Sequence, residues 1–234
     1  MNGSSRSIAI KKNIIASLFL KGISILVSLQ VVPLTINYIN PTRYGIWLTL
    51  SSIVAWLSYF DLGFAHGFRN RFAEAVAKGD MQLAREYVST TYVVLSLLFS
   101  SVFLIAIVVN HFVDWSAILN VDAAYSSELN IVFGILAFFF CLNIVASIFT
   151  TMLTANQKPA LASLIQTLGQ VFGFICIYIL TKTVPGNLDV LAFDFSGVPC
   201  FLLIIISIGM FLSGRYRHLS PSFHFVHFSL TKKI

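Results

Sequence analysis

Apolar and polar positions divide this chain into long apolar stretches joined by short polar ones. Six stretches, at 13–39, 44–64, 86–109, 129–154, 160–182 and 191–212, are nearly free of charge. Each approaches or exceeds the ~20 residues an α-helix needs to cross a hydrocarbon core, which predicts six transmembrane helices. Between the second and third, Phe64, Phe68, Phe72 and Val76 recur at steps of four, with Arg69, Arg71, Glu74 and Lys78 off that row. This spacing predicts an amphipathic helix lying at a membrane interface. Asp80, after Lys78-Gly79, is placed to cap the helix that leads through Arg85 into the third span. Residues 213–234 form a basic tail expected on the membrane surface near anionic lipid.

Composition narrows the class to an all-α, polytopic membrane helix bundle. Hydrophobic residues make up 57% of the chain and charged ones 10%, with mean hydropathy +0.86. A soluble domain carries about a quarter charged residues, so lipid must solvate this one. The net charge of +6 does not suggest nucleic acid, because the basic residues are scattered between apolar spans and form no single face. Counted on alternate sides of six spans, twelve of the fifteen Lys and Arg fall on one side, Arg43 and Lys182 on the other, and Lys21 within the first span. The positive-inside rule then predicts that both termini are cytoplasmic. The opposite side includes the loop from Asn110 to Glu128, which has three acids and no Lys or Arg, and where Trp115 and Tyr125 suit an interfacial belt. The first apolar run is too long for a signal-peptide core and predicts a retained first helix. Cys141, Cys176 and Cys200 lie in apolar spans without metal-ligand spacing and read as small buried hydrophobes.

Polar residues inside the spans mark a candidate substrate path, because a polar cargo needs a wetted route. In the fifth span Ser163, Gln166, Thr167 and Gln170 share one face, and in the fourth Asn143, Ser147, Thr150, Thr151 and Thr154 make a similar row. In the first, Lys21, Ser24, Ser28 and Thr35 fall within about 60° of one another at roughly 100° per residue. The path candidates are therefore Lys21, Ser24, Ser28, Asn143, Ser147, Gln166 and Gln170. The same hydroxyls serve equally well as interhelical glue, and Lys21 as a side chain snorkelling to the interface. For Gln166, Gln170 and Asn143 either a cavity or a structural polar network at the bundle centre is expected. Asp194, near one end of the sixth span, is the ion-coupling candidate or else a carboxylate at a solvated mouth. Pro33 and Pro199 offer bends.

No phosphate loop, zinc-protease or nucleophile-elbow motif occurs, so the chain reads as a non-enzyme without cofactor, and the tail histidines His218, His224 and His227 lack the partners of a metal site. The stretch from Pro41 to Asp80, with Tyr44-Gly45-Ile46-Trp47, Asp61-Leu62-Gly63, Gly67, Arg69 and Lys78-Gly79-Asp80, is similar to the start of the bacterial polysaccharide-export flippases, the O-antigen flippase group. Their superfamily also contains the multidrug and toxin extrusion transporters. The resemblance extends from about residue 10 to 212 in span order and loop character, and is motif-like only over 41–80.

It implies one lobe of a twelve-or-more-helix flippase, with a cavity between two pseudo-symmetric lobes that opens alternately to each face. The implied activity is flipping of undecaprenyl-pyrophosphate-linked O-antigen or another polysaccharide repeat unit across the bacterial inner (plasma) membrane, coupled to an ion gradient. Lys21, Arg69 and Arg71 are the implied pyrophosphate contacts, since a guanidinium can bind two oxygens at once. The implied partners are the lipid-linked oligosaccharide, membrane lipid, and a second lobe or a polysaccharide polymerase complex. Six spans correspond to the amino-terminal half, so a truncated, split or half-length form is expected. Half of a cation-coupled multidrug extrusion transporter, or a non-transporting scaffold of a polysaccharide synthesis complex, are the alternatives.

Overall fold

A computed structural model describes residues 3–57, 63–214 and 216–232, with side chains from Lys12 to Thr231 within those ranges. Among them are eight α-helices and no strand: α1 Gly3–Ile39, α2 Pro41–Ala55, α3 Phe64–Ala77, α4 Met81–Phe112, α5 Trp115–Leu119, α6 Ser126–Ala155, α7 Pro159–Thr183 and α8 Leu188–Leu212. The chain is an all-α bundle. Five of its helices are long and apolar enough to cross a membrane: Lys12–Ile39 of α1, α4, α6 with the 3-10 turn before it, α7 and α8. The predicted second span is represented by α2, whose 15 residues cover about 23 Å against the ~30 Å of a hydrocarbon core. The rest of that span, including Asp61 and Leu62, lies at 58–62, outside the described residues.

Local chemistry sets the helix boundaries. Asn40, at φ 74, breaks α1 from α2, and its side chain accepts from the Arg43 N–H at 3.0 Å while Pro41 opens the new helix. Gly79, at φ 76, ends α3: its N–H reaches the Val76 carbonyl and the Asp80 N–H the Ala75 carbonyl, a Schellman stop. Asp80 then caps α4 through the Leu83 N–H at 2.9 Å, as its position predicts.

Helix α6 is the central element, touching α2, α3, α4, α7 and α8, whereas α1 leans chiefly on α7. Two buried clusters result. One, at the Arg43 end, contains Leu50, Val54, Trp115, Leu129, Ile177 and Leu188. The other, at the Arg85 end, contains Phe68, Phe72, Phe99, Phe149, Leu153 and Tyr216. Because α2 is buried in the first and α3 in the second, the chain changes ends between them. The segregation of charge follows the same division: Arg43 meets Glu128 at 3.4 Å and the Gly186 carbonyl at 3.3 Å, far from Arg85 and Lys158.

Two surface assignments change. The phenylalanine row of α3 does not lie on lipid, because Phe68 and Phe72 are fully buried against the protein. Helices α4 and α6 offer that row an apolar groove, which satisfies it more completely than a headgroup layer would. Trp115 is buried rather than belted, stacked on Phe133 at 4.6 Å with its indole N–H given to Asn110 at 2.6 Å.

Candidate functional site

The polar face of α7 forms the shared wall of two hollows. The first, of about 450 Å³, lies between α1 and α7 and is lined by Lys21, Ser24, Ser163, Gln166, Thr167 and Gln170 among others. The second, of about 350 Å³, lies between α3, α6 and α7, and carries His66, Arg69, Thr150, Thr151, Thr154, Ser163 and Gln166. Pro159, Ser163 and Gln166 belong to both, so together they make one polar trough. A smaller hollow of about 150 Å³ continues from it past Ala65 and Thr151 to Ser147 and Thr91.

This geometry follows from side-chain size and helix period. On α7, Gly169 faces α8 so closely that a Cβ there would stand 3.1 Å from Pro199. Gln166 and Gln170, three residues before and one after Gly169, are exposed. Thr167 lies beyond the glutamines on a third side, buried against α1, with its hydroxyl 3.2 Å from that of Ser24 and 3.4 Å from the Leu20 carbonyl. The hydroxyls of Ser147, Thr150, Thr151 and Thr154 donate to carbonyls of their own helix three or four residues back. Their hydroxyl donors are thereby satisfied within the helix, while the residues themselves line the hollows.

Four of the seven path candidates therefore converge: Lys21, Ser24, Gln166 and Gln170 line one hollow. Ser147 lies in the adjoining one. Ser28 is exposed and donates to the Ser24 carbonyl at 2.9 Å, and Asn143 is exposed on α6; neither lines the trough. The two glutamines and Asn143 are not at the bundle centre, because α7 gives its glycine side to α8 and leaves its amide side outward. The two arginines of α3 also separate. Arg69 lines the trough, whereas Arg71 pairs with Glu74 at 3.1 Å, which takes Lys78 at 2.7 Å as well. Those two hydrogen bonds hold the Glu74 carboxyl below its ordinary range.

Asp194 is neither in the trough nor at a wetted mouth. It is 3% exposed, facing Gly173 of α7, and its Oδ2 has no hydrogen-bond partner among the described residues. Gathered sets of three His, Cys, Asp or Glu side chains do not occur among the described residues.

His66 escaped the sequence reading although it precedes Arg69 by three and so shares its face, off the phenylalanine row. A second missed pattern is Arg85, Glu86, Ser89 and Thr90 on α4, spaced to lie on one face. The tail occupies it. Arg85 donates from Nε to the Ser220 carbonyl at 3.0 Å and from Nη2 to Ser220 Oγ at 3.3 Å, with Phe225 stacked 4.2 Å away. Ser89 and Thr90 accept from the Ser222 and His227 N–H groups at 3.1 and 3.0 Å. The tail is thus seated on protein rather than spread over a membrane surface, with Tyr216 and Leu219 buried.

The fold and trough define the class: an all-α helix bundle whose five long apolar helices fit a multi-pass membrane protein, with a polar trough along one side. No protein family, curated protein or solved structure matches the chain.

Proposed function

We propose that the chain takes part in moving a lipid-linked oligosaccharide across a bacterial inner membrane, as one lobe of a flippase that moves O-antigen or a similar polysaccharide unit. The observation that carries the reading is the trough itself. Two cationic side chains, Lys21 and Arg69, stand with His66, Gln166, Gln170 and seven Ser or Thr residues along connected hollows in a bundle whose long helices expose many large apolar side chains. Cations suit a pyrophosphate and amides and hydroxyls suit a sugar, while the apolar flank of α1, with Leu18, Phe19 and Leu26 exposed, suits the lipid tail. In this reading the exposed amide side of α7 faces a second lobe, and Asp194, a buried carboxyl whose Oδ2 has no hydrogen-bond partner among the described residues, is the place for ion coupling.

Complementation of a flippase-deficient strain tests it, using the chain with whatever second lobe its gene or a neighbouring one encodes. Restored surface polysaccharide, lost in Lys21→Ala and Arg69→Ala but kept in Arg71→Ala, is expected. Restoration that survives both trough substitutions would sink the pyrophosphate assignment, and no restoration at all would favour the scaffold reading.

A further inference from the structure

The hollow between α3, α6 and α7 has walls of different chemistry. From α3 come Arg69 and His66, three residues apart on one face, and neither makes an ion pair among the described residues. From α6 come Thr150, Thr151 and Thr154, whose hydroxyl protons are spent on the Ser147 and Thr150 carbonyls, so that each has only an acceptor left for a ligand. The first turn of α7, with Pro159, Ala162 and Ser163, makes the third wall, and no side chain caps it, which leaves partial positive charge there. No Asp or Glu among the described residues lines the hollow. The one acid of α3, Glu74, is held by Arg71 and Lys78.

These walls select the ligand. A neutral sugar would leave Arg69 and His66 unmatched, and a bare anion would bring no donor to the threonine oxygens. A carboxylate offers two oxygens, whereas a phosphate ester offers three, enough for the Arg69 fork, a His66 N–H and the start of α7 together. At about 350 Å³, within the ~300–1,000 Å³ of ligand sites, the hollow has room for a sugar ring beside that group. Gln166 also belongs to the α1–α7 hollow, so a longer ligand continues towards Gln170. We infer that the α3–α6–α7 hollow binds a glycosyl phosphate, its phosphate on Arg69 and His66 of α3 and its sugar hydroxyls on Thr151 and Thr154 of α6. This rests on the transport reading for the source of the ligand, a lipid-linked sugar. It adds joint recognition of the phosphate and the first sugar, with His66 as a second phosphate contact.

The test is equilibrium binding to the full chain in lipid nanodiscs. Glucose 1-phosphate should bind about tenfold more tightly than methyl phosphate, which carries the same charge without the sugar, a difference worth one or two hydrogen bonds. Arg69→Ala and His66→Ala should weaken both ligands with the unfolding midpoint unchanged, Arg69→Ala by about tenfold or more, whereas Arg71→Ala should weaken neither. Thr151→Val combined with Thr154→Val should weaken glucose 1-phosphate alone. Prenyl-phosphoryl glucose placed in the bilayer should displace the free probe, and failure to do so would overturn the lipid-linked source. Equal binding of the two phosphates, or binding indifferent to Arg69→Ala, would overturn the site. Binding of the probe without complementation of a flippase-deficient strain would keep the site and sink transport, and complementation without binding would do the reverse.

Discussion

The α1–α7 seam and the α4–tail seam are built from the same materials and end differently. Each has a row of small polar residues on an apolar helix. On α4 the row is spent: Ser89 and Thr90 are buried and accept from tail N–H groups, and Arg85 holds Ser220. On α7 only Thr167 is spent, on Ser24 and Leu20, while Gln166 and Gln170 remain exposed along a hollow. A polar row within a span is therefore ambiguous until its partner is known. Backbone groups of an irregular segment consume such a row completely, because they need donors and acceptors. A second helix, whose backbone is already satisfied, consumes it only where side chains touch.

The comparison breaks most visibly at Tyr216. This ring is 2% exposed against Phe149, and its hydroxyl accepts from Lys158 at 2.9 Å. Tyr216→Ala should cost about 3–5 kcal/mol, the range for deleting a buried aromatic ring, read as a lower unfolding midpoint in detergent with faster tryptic cleavage at Arg217. An unchanged midpoint would mean that the tail is not seated on the bundle. At the other seam, Thr167→Val should cost about 1 kcal/mol or less, the usual size of an interhelical hydrogen bond in membrane proteins. A loss as large as that of Tyr216→Ala would erase the proposed difference between the seams.

Gln166→Leu sharpens the comparison further, since an exposed residue with no packing duty should move stability by no more than about 0.5 kcal/mol while impairing complementation. Retained complementation would reduce the trough to an accident of packing. The smallest effect belongs to Glu74, whose carboxyl is held low by Lys78 and Arg71. A lowered folded value means that its contribution is present above the ordinary carboxylate range and is lost as pH falls through the lowered value. Fully exposed, the group is screened by solvent, so Glu74→Gln should leave the midpoint at neutral pH unchanged within error and merely flatten the acid limb of the pH profile.

Several features were legible because they depend on neighbours in sequence alone. Five of the six expected spans, and the cap at Asp80 that follows Gly79, are set by hydropathy and by short-range donors and acceptors. The face shared by Lys21 and Ser24, and that shared by Gln166 and Gln170, also follow from the helical period. Other assignments depend on which helix arrives opposite. Arg69 and Arg71 are equivalent in sequence, yet only one faces the trough, because Phe68 and Phe72 rotate α3 onto α4 and α6. Asp194 appeared to stand at a mouth from its distance to the span's end, but the glycine side of α7 lets α8 approach closely enough to bury it.

The amino-acid sequence by itself determined the class of solvent, the helices and the polar faces they carry, since each is a property of residues within a few turns of one another. Only the tertiary structure decided which of those faces are used up and which stay open. That choice depends on contacts between residues more than a hundred positions apart, such as Ser24 with Thr167 and Arg85 with Ser220, and no local pattern encodes whether such a partner will be present.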